Sequence, residues 1–496
     1  MNNMKDFLMF IAVGVLMSLL FSSGQVENPD THLRLTQTRI LLDNGSFKLP
    51  SDVGEDSHGN VAINKFGERC MVYNPGQSLV FIPFYLTSKI LTDNSVDSYY
   101  LTAFFVSFIN YIINAISAFF LFRIIIALGY ARKKALITAF IFCFTSYSFI
   151  FAQSTYEHHF EMLFILVALY LSLANNVKYN YLYAGLIISI GLIFRSTTIF
   201  LAPTILLLLK TNKERVIFLS GIVPGIVILL FYNYYRFQNP LETGYSIAWI
   251  HTHGKEMVIW SIKDMPKAIL GFFLSPGKGL LFFSPTIILA IFYSRRFYLK
   301  NIKFTNSILV FILLYILLFS MNFAWDGSIW SFGPRYILPI TPLLYIPIAE
   351  LKFNKWVYSI IILAFTAQVL VISVNYKRAV LEQYVLHDGI DEDSYVFDMK
   401  NIPIFIQSKQ LHHVLNKNIK GNLVNYQPNT PWKKEIRLGT NQDILNNSIE
   451  KNSINFWWIR VFHWKTKAFY KIITLLILTA TLIFSFKTYF YVKKNL

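Results

Sequence analysis

The chain has 496 residues, of which 54% are hydrophobic and only 15% are charged, and its formal net charge is +18. Soluble globular proteins carry about a quarter of their residues as charged side chains, so this composition excludes an ordinary soluble domain. In so apolar a chain, the basic excess indicates residues that orient membrane spans and meet anionic lipid, rather than residues that bind nucleic acid.

Apolar segments with the character of membrane spans recur along almost the whole chain. A hydrocarbon core of about 30 Å needs roughly 20 helical residues, and shorter or broken helices are tolerated where protein rather than lipid surrounds them. We therefore predict an all-α polytopic membrane protein, a bundle of about 12 transmembrane helices. The predicted spans are residues 7–23, 101–128, 135–152, 160–174, 181–194, 197–209, 216–233, 279–293, 306–322, 336–350, 356–374 and 467–490.

The first apolar segment has two interpretations. It follows Lys5 and ends in small residues, a pattern that is also typical of a cleaved signal peptide. We favour a retained first helix. Both interpretations place the residues that follow on the outer side of the membrane.

Basic residues mark one side of this layout. With the N-terminus inside, every short inside turn is basic, as the positive-inside rule requires. This predicts a protein of the cell membrane (plasma or inner) with both ends cytoplasmic and its longer loops on the non-cytoplasmic side. The basic residues of the inside turns and the C-terminus are Arg132, Lys133, Lys134, Lys178, Lys210, Lys213, Arg215, Arg295, Arg296, Lys300, Lys303, Lys352, Lys355, Lys493 and Lys494.

The chain is predicted to have three parts. Residues 1–374 form a transmembrane module, which includes a long first outer loop at residues 24–100. Residues 375–466 are polar and are predicted to form a small non-cytoplasmic soluble segment. Residues 467–496 form the last transmembrane helix and a cytoplasmic tail.

Acidic residues begin the first outer loop. Asp30 lies just beyond the first helix, and Glu27 precedes it by three residues. A carboxylate at the membrane boundary can deprotonate an acceptor hydroxyl, which is general-base chemistry. The alternative is that Asp30 or Thr31 caps a helix predicted over residues 31–43. The two interpretations are compatible.

A later part of the first loop has the pattern of an anion-binding turn. Tyr73 begins a Tyr-Asn-Pro-Gly-Gln-Ser stretch, and an apolar helix over residues 78–91 is predicted to lie in the membrane interface. Free backbone N–H groups at such a turn can meet a phosphate. Lys65 and Arg69 add positive charge nearby. A solvated turn beside a basic loop is an equally good interpretation.

The next outer loop contains Tyr156-Glu157-His158-His159. Neighbouring histidines and a glutamate suggest a metal site, but adjacent helical side chains diverge by about 100°, so one metal seldom binds both. Glu157 fits better as a second active-site carboxylate, because ionisable residues at membrane depth are functional candidates. Arg195, farther along the chain, could pair with an anionic head group or simply snorkel to the surface.

Two further outer loops, at residues 234–278 and 323–335, are rich in Gly, Pro, Trp and charge. Arg335 enters a span beside Gly-Pro and is well placed to hold a phosphate, because a guanidinium binds phosphoryl oxygens bidentately. Exposed Trp and Tyr stack on sugar faces, although an interfacial aromatic belt is the safer interpretation of Trp325 and Trp330. The candidate residues of these loops are Glu242, Lys278, Trp325, Asp326, Arg335 and Tyr336.

The two cysteines are predicted to be unpaired. Cys143 lies in a strongly apolar segment, far from the loop that contains Cys70. A disulfide between them is therefore improbable, and no metal motif can be built on cysteine.

These blocks, in this order, resemble the GT-C superfamily of membrane glycosyltransferases, in the branch of protein O-mannosyltransferases and lipid A aminoarabinose transferases. The resemblance covers residues 1 to about 350. The blocks that carry it are Asp30-Thr-His-Leu-Arg-Leu-Thr-Gln-Thr-Arg39, Tyr73-Asn-Pro-Gly-Gln-Ser78, Asn239-Pro-Leu-Glu-Thr-Gly-Tyr245, Leu274-Ser-Pro-Gly-Lys-Gly-Leu280 and Gly333-Pro-Arg-Tyr336.

The resemblance implies an enzyme that moves a sugar from a polyprenyl-phosphate carrier, with inversion, at the outer membrane surface. It implies Asp30 as general base and Glu157 as a second catalytic carboxylate, with neutralisation of the leaving phosphate as the main electrostatic contribution. Asp30 is not followed by Glu, unlike the acidic pair of protein O-mannosyltransferases, which favours a lipid or glycan acceptor over protein. The implied substrate-binding residues are Glu27, His32, Lys65, Arg69, Tyr73, His158, Arg195, Glu242, Lys278, Trp325, Asp326, Arg335 and Tyr336.

No cofactor is firmly indicated beyond the lipid-linked sugar donor, and a divalent metal is left open. The expected partners are membrane lipid, the donor and the acceptor. One alternative is a transporter or flippase of lipid-linked saccharides, in which internal repeats and broken helices near the membrane midplane are frequent. A polysaccharide polymerase or ligase is another, although such an enzyme would not need an acidic loop directly after the first helix.

Overall fold

The computed structural model describes residues 2–51, 60–174, 179–253, 260–327, 331–352, 354–376, 392–419, 454–463 and 468–495. These residues are mainly α-helical, as predicted, and include one small antiparallel sheet. The α-helices are α1 (Asn2–Phe21), α2 (Pro29–Asn44), α3 (Gly76–Leu91), α4 (Ser95–Val106), α5 (Ile109–Ala127), α6 (Arg132–Thr145), α7 (Tyr147–Phe151), α8 (His158–Leu173), α9 (Asn180–Phe194), α10 (Ala202–Leu208), α11 (Asn212–Phe237), α12 (Tyr245–His253), α13 (Met265–Leu274), α14 (Leu280–Phe283), α15 (Ile287–Lys300), α16 (Ile302–Ser320), α17 (Thr341–Tyr345), α18 (Lys355–Ile372), α19 (Glu392–Phe397), α20 (Pro403–Ile419), α21 (Trp457–His463) and α22 (Ala468–Asn495). Short 3-10 helices cover Ser196–Leu201, Arg335–Ile340, Ile346–Glu350 and Met399–Asn401.

The sheet belongs to the first long loop. Its strands are β1 (Lys48–Leu49), β2 (Val61–Ile63) and β3 (Arg69–Met71), and β3 lies in the middle. Both outer strands pair with β3 in antiparallel register, with Cys70 opposite Lys48 and Ala62. Cys70 is buried here and Cys143 is buried in α6, and both are free, as predicted.

Six helices in the described part of the chain are long and apolar enough to cross a membrane. They are Met4–Phe21, Asp97–Ala127 (α4 and α5 taken together), Asn212–Phe237, Ile302–Ser320, Lys355–Ile372 and Ala468–Thr488. Four shorter apolar helices accompany them, at His158–Leu173, Asn180–Phe194, Ser196–Leu208 and Met265–Leu274. These lengths and compositions support a multi-pass membrane protein, whereas the count of twelve spans stays a prediction.

Several predicted spans are interrupted, and proline explains two of the interruptions. Pro285 separates α14 from α15, and three prolines fall between residues 335 and 350, where α17 lies between two 3-10 helices. Proline removes a backbone donor and its ring clashes with the preceding turn, which kinks or ends an α-helix; at these positions the helix ends. The span predicted at 135–152 is also divided, because Ser146 adopts an extended conformation and caps α7.

Small residues bring α9 and α11 into close contact. A Cβ atom on Gly185 would lie 2.2 Å from the Phe218 carbonyl oxygen, and one on Gly225 would lie 2.4 Å from the Cα atom of Ser189. The Ser189 hydroxyl is 2.8 Å from the Gly221 carbonyl oxygen. Small residues allow such close helix approach in membrane proteins. This packing fixes α9, which ends next to Arg195.

The described end of the predicted soluble segment packs on α1. Trp457 donates from its backbone N–H to Ser22 at 2.9 Å and from its indole to the Leu19 carbonyl at 2.8 Å, and Trp458 donates to the Leu20 carbonyl at 3.0 Å. These bonds satisfy carbonyl groups that a helix end leaves without partners. Residues 377–391, 420–453 and 464–466 of the predicted segment 375–466 lie outside the described residues.

Candidate active site

The start of α2 leaves Asp30 free for chemistry. Asn28, not Asp30 or Thr31, is the capping residue: its extended backbone places its side-chain oxygen 2.7 Å from the Thr31 N–H. Pro29 occupies the first turn, where its missing N–H does no harm. The capping role predicted for Asp30 or Thr31 is therefore wrong.

Thr155 ties the start of α2 to the loop before α8. Its carbonyl accepts from the Thr31 hydroxyl at 2.9 Å and from the Gln77 amide at 2.6 Å, and its hydroxyl lies 3.1 Å from the Asn28 amide nitrogen. These bonds hold Asp30 and Glu157, which were predicted from separate loops, on neighbouring elements.

Asp30 faces three polar side chains. Its carboxylate lies 3.7 Å from Arg335 Nη1 and 3.5 Å from the Asn60 amide nitrogen. The third is the Tyr73 hydroxyl: burial, reinforced by the nearby negative charge of Asp30, raises the pKa of Tyr73 well above its usual value. The Asp30 side chain is 16% exposed, so a substrate hydroxyl can still reach it.

Buried acids and arginines alternate beside Asp30. Glu157 lies 2.9 Å from Arg34 and 2.7 Å from Arg195. The other edge of Arg195 contacts Glu161 at 2.8 Å, and Glu161 also accepts from Tyr315 at 3.0 Å. Arg195, predicted either to snorkel or to meet an anionic head group, is thus held between two acids.

The ionisation of Glu157 follows from these neighbours. Burial raises the pKa of the Glu157 carboxyl, but the positive charges of Arg34 and Arg195 outweigh burial and hold that pKa well below its usual range. Glu157 is consequently an anion at neutral pH and is better suited to fixing arginines than to accepting a proton.

Arg34 links the two acids. It lies one helical turn after Asp30 on α2, and its guanidinium stacks on the Tyr73 ring at 3.9 Å from the centroid. Because Arg34 pairs with Glu157 and stacks on Tyr73, which neighbours Asp30, a change at Glu157 would be transmitted toward Asp30.

Arg335 enters the site between aromatic rings. Its guanidinium lies 5.1 Å from the Tyr156 ring centroid and 4.9 Å from that of Tyr336, and it donates to the Tyr336 hydroxyl at 3.1 Å. A Cβ atom on Gly327, whose φ is +76°, would lie 2.9 Å from Arg335 Nε. That Nε is buried and has no hydrogen-bond partner within the described ranges, so it retains capacity for a substrate oxygen.

His158 is buried at the edge of the same site. Its ring lies 5.8 Å from Tyr156 and 6.0 Å from Tyr336 between centroids, and neither ring nitrogen has a hydrogen-bond partner in the described part of the chain. His159 instead packs near the Ser148 carbonyl, 3.0 Å from its Nε2 atom. Among the described residues, no three His, Cys, Asp or Glu side chains are grouped so as to hold a metal.

Two predicted residues of the first loop face away from Asp30. Glu27 accepts from the Asn375 amide at 3.1 Å and lies 3.8 Å from Arg460. The two ring nitrogens of His32 lie 2.8 Å from the Val26 carbonyl and the Tyr99 hydroxyl. These contacts hold the loop around Asp30 without reaching its carboxylate.

None of the described contacts joins Asp30 to the predicted residues Lys65, Arg69 or Glu242. Lys65 is exposed and lies 5.2 Å from the Phe66 ring centroid. Arg69 stands in β3, paired in register with Ile63, and Glu242 accepts from the Gly244 N–H at 2.7 Å within its own turn.

Lys278, Trp325 and Asp326 are buried. Lys278 donates to the Ser331 carbonyl, and Asp326 is only 8% exposed. Trp325 packs on α13, with its ring 5.6 Å from Phe272 between centroids, so the prediction that it belongs to an interfacial belt is wrong. Trp330 lies outside the described residues.

The sequence interpretation missed Arg34, Glu161, Tyr156 and Asn60 as individual candidates. A usable signal existed for the first two. Arg34 follows Asp30 by four residues and Glu161 follows Glu157 by four, so each pair shares one helix face. Asn60 had no such signal, because its approach to Asp30 depends on how the first loop folds.

Residues 64–236 match the model of the Alg9-like mannosyltransferase family. The matched region includes Glu157 and Arg195 but neither Asp30 nor Arg335. This match covers less than half of the chain and agrees with the resemblance to GT-C glycosyltransferases. No curated protein sequence matches significantly.

Solved structures with a similar arrangement include an oligosaccharyltransferase from Archaeoglobus fulgidus tethered to an acceptor peptide, with 12% identity and a TM-score of 0.45. That match covers 81% of this chain and 55% of the other, so the chain spans about half the length of that protein. ArnT from Cupriavidus metallidurans in its apo state has 12% identity and a TM-score of 0.48, and the match covers 86% of this chain and 81% of ArnT. ArnT bound to undecaprenyl phosphate has 12% identity and a TM-score of 0.47, and the match covers 86% of this chain and 82% of ArnT.

Proposed function

We propose that this protein transfers a sugar from a polyprenyl-phosphate-linked donor to a lipid or glycan acceptor, with Asp30 as general base. The observation that carries the proposal is the Asp30 carboxylate facing the Arg335 guanidinium at 3.7 Å. These two groups have the chemistry of a base and of a phosphate ligand, and they lie in one site. Inverting transfer places the acceptor hydroxyl, the transferred carbon and the phosphate between a base and a phosphate ligand, so the donor must separate the two side chains when it binds.

In the proposed reaction, Asp30 takes the proton from the acceptor hydroxyl as the hydroxyl oxygen attacks the anomeric carbon. The bond between that carbon and the phosphate oxygen breaks, and its electron pair stays on the phosphate. Attack from the side opposite the phosphate inverts the anomeric configuration. Asn60 donates to the Asp30 carboxylate, and the neighbouring Tyr73 hydroxyl limits the space in which that carboxylate can move.

Arg335 is the principal proposed ligand of the leaving phosphate. Its planar guanidinium can donate two parallel hydrogen bonds to phosphoryl oxygens, and positive charge there stabilises the negative charge that develops on the leaving group. The rings of Tyr156 and Tyr336 orient the guanidinium. Arg195 and Arg34 both pair with Glu157. Their proposed role is therefore indirect: they add positive charge near the phosphate but do not bind it.

The proposed location of the chemistry is the non-cytoplasmic face of the cell membrane, within the module of residues 1–374. The basic inside turns support this side, because the candidate residues come from the loops opposite to them. A protein acceptor is less favoured, since the first loop lacks the paired acids of protein O-mannosyltransferases.

Purified protein in lipid tests the proposal. Mass spectrometry of the lipid that co-purifies identifies the carrier and its sugar, and that lipid is then supplied as donor with membrane-lipid extract as acceptor. The proposal expects the sugar to be recovered on an acceptor and the carrier to be recovered without it. A transporter or flippase would instead move the intact lipid, leaving the bond between sugar and phosphate unbroken.

A further inference from the structure

A narrow cleft adjoins the candidate site through Tyr156, whose ring also contacts the Arg335 guanidinium. The cleft is bordered on one side by the loops that precede α2 and α8, and on the other by the end of α18 and by α20. Its polar lining is Glu27, Asn28, Gln153, Ser154, Tyr156, Tyr376 and Gln407.

The lining has the chemistry of a carbohydrate site. It combines one carboxylate, three carboxamides, two phenols and one aliphatic hydroxyl. A carboxamide can both donate and accept hydrogen bonds, as a sugar hydroxyl does. Apolar surface accompanies these groups, since Phe332 packs on Tyr376 with 4.5 Å between centroids. A few polar groups on an apolar, aromatic lining are typical of small-molecule sites.

Gln407 is the lining residue with unused hydrogen-bonding capacity. Its side chain is only 1% exposed, and its amide nitrogen donates to the Val374 carbonyl at 3.4 Å. Its side-chain oxygen, by contrast, accepts no hydrogen bond from any described residue. A buried acceptor without a donor is costly, so such a group points to a missing partner.

Gln153, the neighbouring carboxamide in the cleft, has hydrogen-bond partners for both its amide nitrogen and its side-chain oxygen. Gln153 donates to the carbonyls of Phe21, Ile372 and Asn455 at 2.9 to 3.1 Å, and its oxygen accepts from Asn455 at 2.9 Å. Gln153 is therefore structural, whereas Gln407 is available to a ligand.

The size of the cleft limits what can enter. About 40 Å³ of it admits the centre of a water molecule. One buried water needs roughly 10 to 15 Å³ of such space, so the cleft takes about three oxygens. That suits the hydroxyl edge of one monosaccharide.

We infer that this cleft binds the hydroxyl edge of a single sugar ring, with the Gln407 side-chain oxygen and the Glu27 carboxylate as acceptors. Glu27 is held for this role by Asn375 and Arg460, so residues beyond 374 complete the subsite. The inference rests on the proposed function. The ring belongs either to the donor or to the acceptor, and the experiment separates the two.

The test uses the full-length protein in lipid nanodiscs and the variant Gln407→Met, which keeps the side-chain length and removes the amide. Binding is measured with undecaprenyl phosphate, bare or carrying glucose, mannose, galactose or arabinose, and turnover with membrane-lipid extract as acceptor. The control is Gln410→Met, the same change one turn along α20 at a buried residue that does not line the cleft. Glu27→Gln, which keeps the side-chain shape, serves if Gln407→Met fails to fold.

If the cleft holds the donor sugar, wild type binds the correct glycosylated carrier about tenfold more tightly than the bare one, and Gln407→Met removes that preference. If it holds the acceptor sugar, donor binding is unchanged and the acceptor KM rises about tenfold. Unchanged preference and unchanged KM in both cleft variants would overturn the inference. Failure of the proposed function is distinguishable, because wild type would then transfer no sugar at all.

Discussion

The guanidinium of Arg335 faces the carboxylate of Asp30, with Arg335 Nη1 3.7 Å from Asp30 Oδ2. This separation is beyond hydrogen-bond range, so the two groups attract each other while each keeps bonding capacity for a substrate. One comes from the first long loop and the other from the start of a proline-rich segment. Their meeting is the geometric basis of the proposed reaction.

Arg335→Lys should weaken binding of the polyprenyl-phosphate donor about tenfold or more. Lysine keeps the charge but loses the planar fork that grips two phosphoryl oxygens and stacks on Tyr156 and Tyr336. Binding of bare undecaprenyl phosphate to protein in nanodiscs measures the effect. Arg123→Lys is the matched control, since Arg123 donates to Tyr170 at 2.8 Å, away from the site. Equal donor affinity in the two variants would argue against the phosphate role.

Gly327→Ala should also weaken donor binding, by displacing Arg335. The added Cβ would lie 2.9 Å from Arg335 Nε, at a residue whose φ is +76°. Gly67→Ala is a matched control, because Gly67 has a φ of +78° and nothing lies within 4 Å of an added Cβ. Both variants acquire the same backbone strain. If both lose donor affinity equally, the contact with Arg335 is not the cause.

Glu157→Gln should destabilise the fold by about 3 to 5 kcal/mol, because it leaves Arg34 and Arg195 buried without their shared carboxylate. The loss of stability is followed by heating the purified protein and recording the temperature at which it is no longer a single monodisperse species. We expect that temperature to fall in Glu157→Gln. Glu68→Gln is the control: Glu68 pairs with Lys48 on the surface, where a salt bridge contributes only about 0 to 1 kcal/mol.

The lowered pKa of Glu157 also predicts how the stability of the folded protein depends on pH. The folded pKa of this carboxyl is depressed, so its contribution to stability is fully present above the unfolded value of about 4.3 and is lost as pH falls through the folded pKa. Wild type should therefore lose stability on acidification below about pH 4, and Glu157→Gln should lack that part of the loss. A parallel acid profile for the two proteins would contradict the assignment.

Tyr73→Phe should lower turnover about tenfold while donor binding is retained. The change removes the hydroxyl that neighbours Asp30 and keeps the ring on which Arg34 stacks, so the base loses a polar positioning partner. Single-turnover transfer rates and donor affinity, measured on the same preparation, separate the two effects. A variant that loses donor affinity instead would place Tyr73 at the phosphate.

The sequence predicted local features of the site well, because they depend on local signals. The helix predicted over residues 31–43 is observed as Pro29–Asn44, since Asn28 caps its start and Gly45, in the left-handed conformation, ends it. The charged loops were predicted as one functional face, because alternating spans bring their connecting loops to the same side. Proline alone does not locate the interruptions, because Pro285 separates α14 from α15 whereas Pro224 lies inside α11.

The pairing of side chains could not be predicted, because it depends on contacts between distant segments. Arg195 was expected near lipid or phosphate, yet Glu157 and Glu161 occupy its guanidinium. Lys278 was expected near phosphate, and its ammonium donates to the Ser331 carbonyl. No local pattern indicates which buried acid or carbonyl a cation will meet.

The most direct test of the account is Asp30→Asn, measured by transfer of radiolabelled sugar from the lipid-linked donor that co-purifies with the wild-type protein. The substitution keeps the shape of the side chain and removes its ability to accept a proton. We expect turnover to fall by a factor of about 10² to 10⁴, with donor affinity unchanged and the protein still monodisperse. Full turnover in Asp30→Asn would contradict the assignment of Asp30 as general base.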